Sequence, residues 1–216
     1  TLKIPRGKED KEMAALIKLT AVTSGDDVFG KGTEGGSFIT IDQRVIWTAK
    51  GYGFQAMSTA AVASLVVRPT TVAIVTLRNQ SSNKNFVIDE AFAHNLVGVS
   101  NSAFSLWLCS HPVGMGTITN DITVRNSLNG RNAGGSDAFF DIEATVTDNG
   151  WFPWGMSDHT VTVTSPGGVV IAPVHGRIIV PPTGGISLSC VATTTGVTVT
   201  SGFRWYEVPA SELNNT

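Results

Sequence analysis

Charge is scarce in this sequence: 32 of its 216 residues are Asp, Glu, Lys or Arg, 15% where about a quarter is usual. The formal net charge of −2 gives no electrostatic basis for holding nucleic acid. Cysteine is scarcer still, with only Cys109 and Cys190. Two cysteines do not make the disulfide framework of a small secreted scaffold. Both sit in alternating apolar segments, Ser105 to Cys109 and Ile186 to Cys190, which favours buried thiols in a reducing compartment over a single bond. No apolar run approaches the roughly 20 residues of a membrane-spanning helix, and no stretch reads as a secretory signal. His94, His111, His159 and His175 stand singly, without H-x-H or H-E-x-x-H spacing, so no metal centre is expected. There is no G-x-S-x-G elbow, and the adjacency of Ser157, Asp158 and His159 is not triad geometry.

What the chain does have is glycine, 23 residues of it, and short apolar segments separated by turn formers. The clearest stretch runs from Thr71 to Cys109. Val72 to Leu77, Phe86 to Phe92 and Ala103 to Cys109 read as strands, and Arg78 to Asn85 between the first two is a run of polar turn residues. The pattern continues from Ser37 to Val208 through Ser37–Trp47, Tyr52–Met57, Ala61–Val67, Asp121–Arg125, Asp137–Thr147, His159–Thr164, Val169–Pro173, Arg177–Val180, Ile186–Ala192, Val197–Thr200 and Phe203–Val208. About a dozen short strands with turn signals between them imply an all-β fold, a jelly-roll-like antiparallel β-sandwich. Period-two alternation assigns Ile186, Leu188 and Cys190 to the core, with Ser187 and Ser189 outward.

Residues 1–36 differ from the rest, carrying 12 of the 32 charged residues. Met13, Leu16 and Ile17 share one helical face, so this segment reads as an N-terminal arm with a short helix that docks on its own body or on another subunit. The expected division is an arm with a Gly-rich link over 1–36, a sandwich over 37–208 and a polar tail over 209–216.

Four stretches invite chemistry. Gly30 to Gly35 matches G-x-G-x-x-G, but a strand-like run follows where a dinucleotide site needs a helix, so no cofactor is expected. Asp137, Asp141 and Glu143 share one strand face. Carboxylates so placed serve glycoside hydrolysis or Ca²⁺ binding, and otherwise form an acidic surface, the reading preferred here. Asn79-Gln80-Ser81 is a glycosylation sequon. Trp151, Phe152 and Trp154 form an aromatic knot that fits a plug of the sandwich, a subunit interface or a platform for sugar rings.

The Leu77-Arg78-Asn79 strand end, its Ser/Asn turn, Lys84 and Phe86-Val87-Ile88, with the closing Arg204-Trp205-Tyr206-Glu207-Val208 strand, resemble β-rich virion structural proteins of tailed bacteriophages that decorate or cement a capsid. The resemblance covers about a quarter of the chain and carries over no functional residues. Unlike the usual major capsid protein of those phages, this chain does not mix long helices with its strands. The resemblance implies a non-enzymatic subunit located in the virion, bridging a major capsid protein or other virion subunits, and most often trimeric. The rival expectation is a carbohydrate-binding β-sandwich using Trp151 and Trp154; a third is a glycan-cleaving enzyme using Asp141 or Glu143.

Overall fold

The computed structural model describes residues 17–20, 27–30, 42–97, 103–128, 135–142, 150–156 and 169–213. Within them lie fourteen strands: β1 (Ile17–Thr20), β2 (Asp27–Gly30), β3 (Gly53–Met57), β4 (Val62–Ala63), β5 (Val75–Asn79), β6 (Lys84–Val97), β7 (Phe104–His111), β8 (Arg125–Asn126), β9 (Ala138–Ile142), β10 (Phe152–Met156), β11 (Val169–Pro173), β12 (Ile179–Val180), β13 (Gly185–Ala192) and β14 (Thr198–Pro209). Two short helices join them, α1 (Gln43–Ala49) and α2 (Ala210–Leu213).

Two antiparallel sheets make a sandwich. One has the order β10-β7-β13-β5-β9; the other runs β11-β6-β14-β3-β8, with β12 also on β6 and β4 also on β14. Successive strands change sheets repeatedly, among them β5–β6, β6–β7, β7–β8, β8–β9, β12–β13 and β13–β14, so the chain passes back and forth between the two sheets in the manner of a jelly roll. Alternation explains the filling. Ile186, Leu188 and Cys190 of β13 are fully buried beside Leu106 and Leu108 of β7 and face Phe203 and Trp205 of β14. The two sheets meet at aromatic rings: Phe140 of the first stacks on Trp205 of the second at 6.2 Å, and Phe54 and Phe86 each approach Trp205 at 6.3 Å.

The turn between β5 and β6 forms as its polar residues suggest. The Asn79 side-chain amide donates to the carbonyls of Lys84 and Val180, its Oδ1 accepts from the Ser81 backbone, and Ser81 Oγ accepts from Asn83 and Lys84. Beside this turn, near the C-terminal end of β14, the buried Glu207 accepts from Ser136 Oγ at 2.6 Å and the Asp137 amide at 3.0 Å, tying the approach to β9 onto the opposite sheet.

Several elements differ from their sequence expectation. Ile17 lies in β1, paired with Gly30, and so is not on a helix; Met13 and Leu16 fall outside the described residues. The helix toward the N-terminal region is α1, which overlaps the second half of the stretch that reads as the Ser37–Trp47 strand. Asp42 nucleates it, its side chain accepting from the Arg44 amide, and a cap of this kind outweighs the β-branched Val45 and Ile46. The two expected strands Val197–Thr200 and Phe203–Val208 merge into a single strand, β14, which starts at Thr198 and passes through Gly202, where an added Cβ would lie 2.1 Å from the Ala56 carbonyl. Part of the polar tail coils into α2, where Glu212 takes two bonds from Lys50 Nζ at 3.0 Å. Ser187 and Ser189 do face away from the sandwich interior, yet they are buried, because further chain segments cover that face of the five-stranded sheet. Cys109 and Cys190 are buried thiols.

Phe140→Ala is expected to lower unfolding free energy by about 3–5 kcal/mol, read from the urea midpoint, because it removes the ring that joins the sheets. A second expectation concerns pH. Burial raises the Glu207 carboxyl above its usual value, against the bonds from Ser136 and Asp137 that favour the ionised form. Its contribution to stability is therefore complete below its unfolded value and is lost as pH rises through the higher folded value. Glu207→Gln should flatten that part of the stability–pH profile. It should also cost about 1–3 kcal/mol at neutral pH, since the amide places a donor where two donors already point.

Candidate functional site

The aromatic knot does not act as one surface. Neighbouring residues on a strand point to opposite faces. Trp151, just before β10, is 3% exposed and packs on the outer side of the five-stranded sheet with Ala73, Cys109, Trp107 and Met115. Phe152 and Trp154 turn the other way and pack against the main core, their rings 5.5 Å apart. Trp154 is half-buried, its Nε1 donates to the Pro173 carbonyl, and the Arg177 guanidinium lies over its ring at 5.1 Å. One tryptophan is thus buried and the other already carries a cation on its face.

The carboxylates expected on one strand face are separated too: only Asp141 lies in β9. Asp137 pairs with Lys84 at 2.7 Å. Asp141 is buried opposite Thr76, and burial, with Asp121 nearby, raises its carboxyl above the ordinary range. Glu143 and the Ser157-Asp158-His159 run lie outside the described residues. His111 is buried and bonds Ser187 Oγ at 2.7 Å, which continues to Thr76 Oγ1 at 2.8 Å; this chain crosses three strands of the sheet.

A different group of residues surrounds an open pocket of about 490 Å³ on the outer face of the seven-stranded sheet. Its geometry begins with a bulge. Along β6 and β14, Glu90 pairs with Arg204 but Trp205 pairs with Ile88, leaving Asp89 as the extra residue. The buried positions of β6 therefore change phase, from Phe86 and Ile88 to Ala91 and Ala93, and Asp89 and Glu90 both escape the core. The Asp89 carbonyl then accepts from the amides of Val174 and His175 at 2.7 and 2.8 Å. This draws the turn between β11 and β12 onto the bulge. His175 takes a left-handed backbone, φ 50°, and Gly176 follows at φ 73°. A non-glycine residue held there carries backbone strain of about 1–3 kcal/mol.

From α1, Arg44 reaches the same point. Asp42 holds its guanidinium through Nη2 at 2.6 Å and Nε at 3.1 Å, while Nη1 lies 3.4 Å from Asp89 and 3.2 Å from His175 Nδ1. The Arg44 bonds hold the Asp42 carboxyl down to about 2, and Asp42 in turn raises Arg44. The apolar walls are Trp47, Tyr206, Val87, Ile179 and Leu213, with the Trp47 and Tyr206 rings 5.4 Å apart. The sequence reading missed this group. Its one local signal was the break in alternation at Asp89-Glu90 within an otherwise regular strand.

No family model and no curated protein matches the chain. Among solved structures, the infectious bursal disease virus VP2 subviral particle is similar over 95% of this chain and 51% of that chain, at 14% identity and a TM-score of 0.11. At that level the comparison carries no functional argument.

Trp151→Ala is expected to cost about 3–5 kcal/mol in chemical denaturation, as a buried side chain. Trp154→Ala should cost only about 1–2 kcal/mol, from partial burial and one cation–π contact.

Proposed function

We propose that the protein is a structural subunit of a virion, a capsid decoration or cement protein that works by fitting neighbouring subunits rather than by catalysis. The observation that carries this reading is an apolar row on the outer face of the seven-stranded sheet. Ile171 of β11 lies opposite Phe92 of β6, which lies opposite Gly202 of β14, which lies opposite Met57 of β3. Ile171 and Met57 are 52% and 46% exposed, and Val169, two residues along β11, is 53% exposed. Four adjacent strands span roughly 14 Å. Large apolar side chains gathered on one sheet face mark contact surfaces, whereas single ones need no explanation. The resemblance of the Leu77–Ile88 and Arg204–Val208 stretches to tailed-phage decoration proteins supports the virion setting, and the low charge of the chain suits a body partly covered by neighbours. Symmetric assembly through this face would leave β11, an edge strand, beside a second copy. A trimer is the expected closed form.

Sedimentation equilibrium of the purified chain tests the reading. A trimer or larger closed assembly is expected, and Ile171→Lys should reduce it to monomers with an unchanged far-ultraviolet circular dichroism spectrum. A monomeric wild type at tens of micromolar (about 6 kcal/mol or weaker association) would remove self-assembly through this face. An assembly indifferent to Ile171→Lys would place the contact elsewhere.

A further inference from the structure

We propose that the pocket at the Asp89 bulge binds a neutral saccharide, with Trp47 as the surface for the sugar ring and Asp89, Arg44 and His175 as the groups that bond its hydroxyls. This goes beyond assembly and does not depend on it. The site uses none of the residues of the Trp151–Trp154 knot.

The first argument is the ligand's charge. Arg44 stands between two carboxylates, Asp42 at 2.6 Å and Asp89 at 3.4 Å. An entering anion would meet Asp89 and an entering cation would meet Arg44. Either way a like charge is brought close, and the largely covered Asp89 is the less well screened of the two. A neutral molecule rich in hydroxyls incurs neither cost, because it both donates to the carboxylate and accepts from the guanidinium.

The second argument is that Asp89 is only loosely satisfied by its neighbours. Asp89 lies 3.4 Å from Arg44 Nη1 and 3.5 Å from His175 Nδ1, beyond the 2.7–3.2 Å of a good hydrogen bond. Vicinal hydroxyls of a pyranose can take these positions with little rearrangement, whereas the Arg44–Asp42 pair is tight and holds the guanidinium still.

The third argument is shape. A volume of about 490 Å³ lies within the usual range for small-molecule sites, roughly 300–1,000 Å³. Polar groups gather at one side and aromatic and aliphatic walls at the other, which matches a sugar's hydroxyl rim and its C–H face. Bulge, left-handed turn and capped helix each aim one of the polar side chains at the same place. Such local irregularities recur at sites that bind.

The test is isothermal titration of the full chain with glucose, galactose, mannose, N-acetylglucosamine and N,N′-diacetylchitobiose, with sialic acid and spermidine as anionic and cationic comparators. At least one neutral sugar is expected to bind more tightly than both comparators. Asp89→Asn, nearly isosteric, and Trp47→Ala should each weaken that binding by about tenfold or more, while Trp154→Ala leaves it unchanged. Circular dichroism checks that each variant folds, and Asp89→Asn decides the matter if Trp47→Ala does not. The proposal is overturned if no neutral sugar in the panel binds, if a charged comparator binds best, or if binding persists in Asp89→Asn. Sedimentation of the same samples reports assembly separately, so failure here leaves the structural role standing.

Discussion

Phe140 and Trp205 lie nearly parallel, 12° between their planes, on opposite sheets of the sandwich. Backbone hydrogen bonds hold each sheet together but cannot reach the other, so the pair of sheets depends on what their side chains do in between. The rings of Phe54, Phe86 and Phe203 gather about these two, and the aliphatic residues of β5, β7 and β13 fill the remaining space. The outer surfaces are then free to diverge. The five-stranded sheet carries a second buried layer with Trp151 and a hydroxyl–imidazole chain on it, while the seven-stranded sheet exposes apolar residues, an ion pair between Arg204 and Glu90, and a pocket.

That division follows from Trp205 as well. For β14 to keep Phe203 and Trp205 both inward while β6 keeps Ile88 and Ala91 inward, one strand has to hold an extra residue between those pairs. Asp89 is that residue. The irregularity that the core demands thereby becomes the geometry of the pocket, because its carbonyl captures the His175 turn and its carboxylate meets Arg44. Packing and site share one cause.

Much of the fold was legible because period-two alternation records which face a strand buries, and β3, β7, β11 and β13 follow their expected spans closely, while β6 runs well past the expected Phe86–Phe92. Local chemistry also served for the Asn79–Lys84 turn, whose side chains bond their own backbone. The failures have physical reasons. Asp42 starts a helix through one side-chain acceptor, a signal weaker on paper than the apolar residues behind it. Gly202 reads as a break but is required by close strand approach. Ser187 looks outward and is buried, since alternation reports direction and not what lies above. The pocket could not be read at all: Arg44, Asp89, His175 and Tyr206 come from four distant stretches and meet only through sheet register.

The Asn79 amide spends both of its donors and its oxygen on the backbone of the β5–β6 turn and its neighbour β12, and the residue is wholly enclosed. A glycan attached to that nitrogen would displace the bonds that close the turn. Folding and N-glycosylation at this sequon are therefore mutually exclusive events in the life of the chain: whichever comes first forbids the other.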